Sequence, residues 1–557
     1  MVHLETKCVS SLEKVFPDEE LKAAPYTGGT ALKAETFSFQ VAYRNNGELL
    51  PELKVMVESE ISEAIEFHSV GVVPSELPSY HDHDSNVLRT TPGLYPDPLY
   101  PEKDRVVAGL PNQWRALWFS VNIPEDETSG VYPIHVIFRS GNDVLARETF
   151  HLEILDARLP DQQLIHTEWF HADCLAVHYD VPVFSKDHWK LIDTYLQNAV
   201  AHGVNMILTP LFTPPLDTEI GAERPTVQLI DVEKKGSSYS FDFSNLRKWI
   251  EIAQEKGIVY FEFSHFFTQW GAKHAPKIIA VENGQKKVIF GWETEAAGIE
   301  YKTFLSQFLP ELITFIKEHN LVENVYFHVS DEPDRDNLFA YKEASKFIHS
   351  YLSDYPVIDA LSDYDYYKKG IVKQPIPASD HINTFLEQEV PDLWTYYCCK
   401  QYKKVSNRFF NFPSARNRII GFQLYKFNIK GFLHWGYNFW FSKLSREHIN
   451  PFLNTDAGHG FPSGDAFLVY PGENGPINSI RIKVFYEALQ DLRALQLLET
   501  YLGKEQVIEL IENSLEEPLT FEQVPLKSSW LINKRNEINQ RIVEEAARNQ
   551  STVKIDR

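Results

Sequence analysis

Between residues 35 and 138, apolar and polar side chains alternate in short runs. Glu35-Thr36-Phe37-Ser38-Phe39-Gln40-Val41-Ala42-Tyr43 is followed by Leu53-Lys54-Val55-Met56-Val57. Later come Ala116-Leu117-Trp118-Phe119-Ser120-Val121 and Tyr132-Pro133-Ile134-His135-Val136-Ile137-Phe138. A period of two bounded by Gly, Pro and Asn marks half-buried strands. Residues 1–157 are therefore expected to form an N-terminal antiparallel β-sandwich.

The pattern changes after Leu152-Glu153-Ile154-Leu155-Asp156, where strand-like runs begin to alternate with amphipathic helices. Residues 187–202 read as a helix with Trp189, Ile192, Tyr195, Leu196 and Val200 on one face. Further helices are expected at 243–256, 301–319, 338–352 and near 415–426. Strands are expected at 164–170, 204–209, 258–263, 324–330, 357–360, 381–385, 393–397 and 431–436. About eight strands in a βα rhythm favour a (β/α)8 TIM-like barrel over 158–478. The remaining 479–557 reads as a charged helical segment packing on the barrel.

A chain of 557 residues with 43% hydrophobic side chains is long enough for several cores. Its net charge of −23 works against binding to phosphate backbones or anionic membranes, so neither nucleic acid nor membrane is an expected partner. Four cysteines (Cys8, Cys174, Cys398, Cys399) are too few for a disulfide framework. The start, Met1-Val2-His3-Leu4-Glu5-Thr6-Lys7, lacks a basic-then-apolar signal, and no apolar run is long enough to span a bilayer. A cytoplasmic enzyme without cofactor is expected.

Asp331 and Glu332 close the apolar run Asn324-Val325-Tyr326-Phe327-His328-Val329-Ser330 and precede Pro333. Two carboxylates at a strand mouth are costly unless a ligand, water or hydrogen bonds offset their desolvation. Paired carboxylates also suit the breaking of a glycosidic bond, one donating a proton and one steadying positive charge. Neighbouring side chains on a regular strand point to opposite faces, so sharing a ligand requires the chain to bend there. Pro333 is expected to keep Glu332 extended, and burial beside an anion is expected to raise the pKa of Glu332.

Polar and aromatic residues gather at the other expected strand ends: His166, Glu168, Trp169, His171, His265, Gln269, Trp270, Tyr396, Tyr397, Trp435, Asn438 and Trp440. Aromatics, amides and imidazoles around a carboxylate pair suit a neutral polyhydroxylated ligand. The chemical rival is a metal hydrolase built from His166, His171, His265, His274 and His328 with Asp331. The chain has no HExxH, and His81-Asp82-His83-Asp84, although spaced like a ligand set, falls in a sandwich loop and reads as a solvated turn. No metal is therefore expected. No GxSxG elbow occurs, and Gly458-His459-Gly460-Phe461-Pro462-Ser463-Gly464 lacks phosphate-loop spacing.

The chain resembles glycoside hydrolase family 123. The markers are Pro92-Gly93-Leu94-Tyr95-Pro96-Asp97-Pro98-Leu99, His328-Val329-Ser330-Asp331-Glu332-Pro333 and Leu393-Trp394-Thr395-Tyr396-Tyr397-Cys398-Cys399. They continue with Gly431-Phe432-Leu433-His434-Trp435-Gly436-Tyr437-Asn438 and Gly464-Asp465 leading to Tyr470-Pro471-Gly472. The resemblance implies a sandwich-plus-barrel exo-β-N-acetylgalactosaminidase that retains configuration by substrate assistance. Asp331 would orient the 2-acetamido group, whose oxygen attacks C1 to give an oxazolinium intermediate. Glu332 would protonate the leaving oxygen and then deprotonate water. Trp435 would floor the sugar, Tyr396 or Tyr397 would bind the acetamido oxygen, and Asn438, His265 and Trp440 would contact hydroxyls or ring. Two alternatives stay open: action on another sugar such as a β-N-acetylglucosaminide, and a non-catalytic glycan-binding protein.

Overall fold

Alternation becomes two packed sheets in the computed structural model, which describes residues 4–333 and 335–555. Met1–His3, part of the start expected to lack a leader signal, lie outside the described residues. One sheet orders the strands Leu4–Ser10, Thr36–Asn45, Trp114–Asn122, Ile65–Ser75 and Gly93–Pro101. The other orders Gly28–Lys33, Asp143–Arg158, Gly130–Ser140, Leu50–Glu58 and Val106–Gly109. Their inward residues meet in a dry core in which Phe39 stacks on Phe119 and Phe150 at 4.9 and 4.2 Å. One pairing departs from the antiparallel expectation, because Gly28–Lys33 runs parallel to Asp143–Arg158. That edge is covered by the last helix, Ser528–Ile555, whose Asn536 and Asn539 hydrogen-bond Thr30.

The next 270 or so residues carry the βα alternation. A six-stranded parallel sheet contains β1 (Ile165–Glu168), β2 (Met206–Thr209), β3 (Tyr260–Phe263), β4 (Val325–Phe327), β7 (Trp394–Tyr396) and β8 (Gly431–His434), in the order β4-β3-β2-β1-β8-β7. A separate parallel pair, β5 (Ile358–Ala360) and β6 (Gln374–Ile376), is tied to the ends of this curled sheet. The ties are single parallel bridges, Phe327 with Val357 and Ala378 with Tyr396. Helices or helical turns follow each strand, among them Lys186–Ala201, Ser244–Lys256, Ile299–Glu318 and Leu338–His349.

The sixth strand lies earlier than expected. Residues 381–385 begin a helical turn (Asn383–Glu387) that buries Ile382 and Phe385, a spacing of three that belongs to a helix. The strand itself, Gln374–Ile376, is centred on Pro375, which hides the strand signal in the sequence. Two hairpins, Asp231–Lys235 with Ser238–Asp242 and Ile278–Glu282 with Gln285–Phe290, form an additional four-stranded sheet in the loops after β2 and β3.

Helix Ile480–Leu502 follows β8 and packs on the helices Ser414–Arg418 and Ile420–Lys426. Arg418 pairs there with Asp491 and Glu487, and Arg535 of the last helix joins Asp491 to the sandwich's Glu35. The last helix thus contacts both helix Ile480–Leu502 and the sandwich. Among the described residues, no helix is long and apolar enough to cross a membrane.

Candidate active site

The strand carrying the acid pair ends at Phe327, and the chain then passes through buried His328 and Ser330 to Asp331. His328 lies between Glu262 at 2.6 Å and Asp359 at 3.2 Å. Burial opposes its charge, but hydrogen bonds to Asp359 and Glu262 hold its pKa up to about 10, so it is an imidazolium. Glu262 also accepts from Trp169 Nε1 at 2.7 Å and Thr167 Oγ1 at 2.6 Å. Asp359 accepts from the Val329 amide at 3.1 Å and from the Tyr341 hydroxyl. This buried ionic network fixes the backbone two residues before Asp331 and one aromatic wall of the cavity above it.

Glu332 is not extended. Its φ is +42°, a left-handed conformation unusual for a non-glycine residue. This kink, rather than the proline's preference for extended backbone, stops the two acids from alternating across a strand. Asp331 is buried, and its Oδ2 accepts from Gln269 Nε2 at 2.6 Å, while Gln269 Oε1 accepts from the Asp217 amide at 2.7 Å. Glu332 turns the other way. Its Oε1 accepts from the Tyr396 hydroxyl at 2.8 Å and its Oε2 lies 3.1 Å from Lys400 Nζ.

Burial first, and the Glu332 charge second, push the Asp331 carboxyl well above the usual carboxylate range. The Glu332 charge in turn raises Lys400.

Both acids line a cavity of about 320 Å³, walled by Trp169, Trp270, Trp435, Tyr396 and Phe461 and edged by Asp217, Lys400 and Lys443. The Trp435 indole is steadied by its Nε1–H donating to Asp465 at 3.0 Å. Burial pushes Asp217 up to about 6. A second, wider cavity of about 950 Å³ adjoins the first and shares Trp270, Glu332, Ala360, Tyr396 and Lys400 with it. Glu332 stands where the two meet.

Of the residues expected at the site, Asp331, Glu332, Trp435 and Tyr396 line the cavity. The other four do not. Tyr397, just past the end of the strand, is fully buried against Phe432 and His434. Asn438 clamps the His171 backbone by its amide at 2.8 and 3.1 Å, and Trp440 donates to Val469 O at 3.2 Å. His265 stacks on His328 at 4.2 Å with both ring nitrogens unpartnered, and burial followed by the His328 charge keeps its pKa well below the usual value.

Asp217, Lys400 and Lys443 were not expected from the sequence. The one legible hint was that Lys400 follows Tyr396 on the same strand-end segment. Among the described residues, His265, His328 and Asp359 could converge on a metal ion, but His328 is already engaged by Glu262 and Asp359. His166 contacts Gly203 O and Glu168, and His171 contacts Trp435 O, so these histidines are spent on structure.

Comparison with known proteins agrees with the sequence markers. The family profile described as glycoside hydrolase 123, catalytic domain, matches residues 169–498, more than half of the chain. A solved structure reported in work on glycolipid glycan hydrolysis, a family 123 glycoside hydrolase from Clostridium perfringens, superposes with a TM-score of 0.77 at 17% identity. That match covers 99% of this chain and 100% of the other. A xyloglucanase from Bacteroides ovatus covers 83% of this chain and is itself covered over 98%, at 9% identity and a TM-score of 0.28. No curated protein matches the sequence.

Proposed function

Because the chain belongs to glycoside hydrolase family 123, we propose that it releases terminal β-linked N-acetylgalactosamine from a glycan by a retaining, substrate-assisted mechanism. The observation that carries this reading is the kinked pair: two adjacent acids on one cavity, each held by different partners. The 2-acetamido N–H donates to Asp331, which turns the carbonyl oxygen toward C1. That oxygen attacks as the C1–O bond breaks, and Glu332 gives its proton to the departing oxygen. A water then opens the oxazolinium ring, returning its proton to Glu332. No protein nucleophile is used, so the carboxylate spacing rule for a covalent intermediate does not apply.

Burial and the Glu332 charge disfavour the Asp331 anion that this mechanism uses. A substrate N–H donating to Asp331 offsets that cost. Lys400 then stabilises the carboxylate left on Glu332 after proton donation. Trp435 floors the ring in the smaller cavity, and the aglycone runs into the wider one beyond Glu332.

In the same reading the eight parallel strands form a (β/α)8 barrel, with helix Ile480–Leu502 as its eighth helix. The Clostridium perfringens relative makes the glycan of a glycolipid a natural candidate substrate. The test is hydrolysis of 4-nitrophenyl β-GalNAc, β-GlcNAc and β-galactoside with EDTA present. Selective turnover of the first is expected. Equal or greater turnover of the second would transfer the assignment to β-N-acetylglucosaminides, and binding without turnover would leave a glycan-binding protein.

A further inference from the structure

Lys400 sits on a long irregular segment. Residues 397–413, between β7 and helix Ser414–Arg418, contain neither helix nor strand. The barrel pins this segment at Arg408, whose guanidinium pairs with buried Glu168 at 2.6 and 2.8 Å. Next to Lys400, Gln401 donates to Asp380 at 2.9 Å and its carbonyl accepts from Asn407 at 2.8 Å, and from Tyr402 onward the sandwich adds its own restraint. The sandwich loop crosses to the barrel mouth, where Asp82 accepts from the Tyr402 hydroxyl at 3.0 Å and from Lys403 Nζ at 2.5 Å. Asp84 takes the Lys404 amide at 2.6 Å and both terminal nitrogens of buried Arg416 at 2.9 Å. Arg416 in turn donates to Val405 O at 2.8 Å.

We propose that Asp82 and Asp84 are positioning residues of the catalytic site, holding residues 400–405 so that Lys400 stays on Glu332. This proposal rests on the reading of Glu332 as the proton donor. Asp84 is the stronger of the two, because a bidentate carboxylate–arginine pair fixes direction as well as distance. Asp82 is exposed, so its contacts add less. Lys400 itself is 68% exposed, and its exposed side faces the two cavities that substrate would fill. If the tether from Tyr402 to Lys404 is lost, the backbone of this irregular segment gains freedom, and a long, exposed lysine on it gains rotamers that leave Glu332. The aspartates of His81-Asp82-His83-Asp84 therefore serve as an interdomain clamp.

The test is a double-mutant cycle on aryl β-N-acetylgalactosaminide hydrolysis using Asp84→Asn, Lys400→Met and the combination, with Asp82→Asn/Asp84→Asn as a stronger clamp variant. Asp84→Asn is expected to lower kcat about 10- to 100-fold while KM stays within about threefold. In the Lys400→Met background the same substitution should leave kcat nearly unchanged, since the interaction it protects is already gone. An equal loss in both backgrounds, or no loss in either, overturns the proposal. Amide hydrogen exchange over residues 400–405 gives a readout independent of turnover. Faster exchange in the double aspartate variant, with protection elsewhere retained, upholds the clamp even if the substrate assignment fails, and unchanged exchange overturns it.

Discussion

The carboxamide of Gln269 donates to Asp331 Oδ2 across 2.6 Å, and its own oxygen is held by the Asp217 amide at 2.7 Å. The amide is thereby fixed in one orientation, with its NH2 toward the acid. Gln269 supplies a donor to one Asp331 oxygen, and in the proposed mechanism the other receives the substrate N–H. Gln269→Leu should lower kcat/KM for 4-nitrophenyl β-GalNAc by about 10- to 100-fold, comparable to losing one oriented charge-assisted hydrogen bond. A loss under about threefold would mean that Asp331 is oriented without it.

Asp217 gives a pH signature. Burial raises its carboxyl to about 6, so the folded protein binds this proton more tightly than the unfolded chain does. Its contribution to stability therefore falls as pH rises from the ordinary carboxylate range through about 6 and is constant above that. Asp217→Asn removes the penalty. Urea denaturation should find the variant gaining about 1–2 kcal/mol on the wild type between pH 4 and pH 7.5. An unchanged difference across that range would contradict the raised value.

His328 shifts in the same direction, but here the charged form is the one that the fold stabilises. As a histidine raised to about 10, its partnered charge stabilises the fold fully below the unfolded pKa, and that contribution is lost as pH rises through about 10. Replacing it with Gln leaves Glu262 and Asp359 buried without their cation and should cost about 3–5 kcal/mol at neutral pH. Thermal denaturation at pH 7 and pH 10 should show the gap between wild type and His328→Gln narrowing at the higher pH. A constant gap would mean that His328 is neutral throughout.

Gly421 marks a close helix crossing. A Cβ there would stand 2.1 Å from Ala488 O, a backbone atom that cannot swing aside. Gly421→Ala should therefore cost about 1–3 kcal/mol by forcing helices Ile420–Lys426 and Ile480–Leu502 apart. The fall in Tm checks it, and an unchanged Tm would show that the helices can slide.

Much of this architecture could be read from the sequence, for identifiable reasons. Phe39, Val41, Phe119, Val136 and Phe138 recur at alternate positions and do form the sandwich core. Apolar runs such as Met206–Thr209 and Tyr260–Phe263 become parallel strands. Gln374–Ile376 was hidden by its proline, and Asn383–Glu387 imitated a strand because a short apolar run does not declare its period. At the site, adjacency revealed Asp331 and Glu332, but not the left-handed turn that gives them different partners. Lys400 and Asp217 reach the cavity only through tertiary packing. The Asp84–Arg416 pair joins residues 332 positions apart, a distance at which no local pattern speaks.

In the proposed mechanism the substrate's own acetamido oxygen attacks C1 under the control of Asp331. The most direct measurement is kcat/KM for 4-nitrophenyl β-GalNAc against its N-difluoroacetyl and N-trifluoroacetyl analogues. Fluorine drains electron density from that oxygen without altering the glycosidic bond. Participation predicts a steep fall with each added fluorine, while rates independent of fluorination would contradict it.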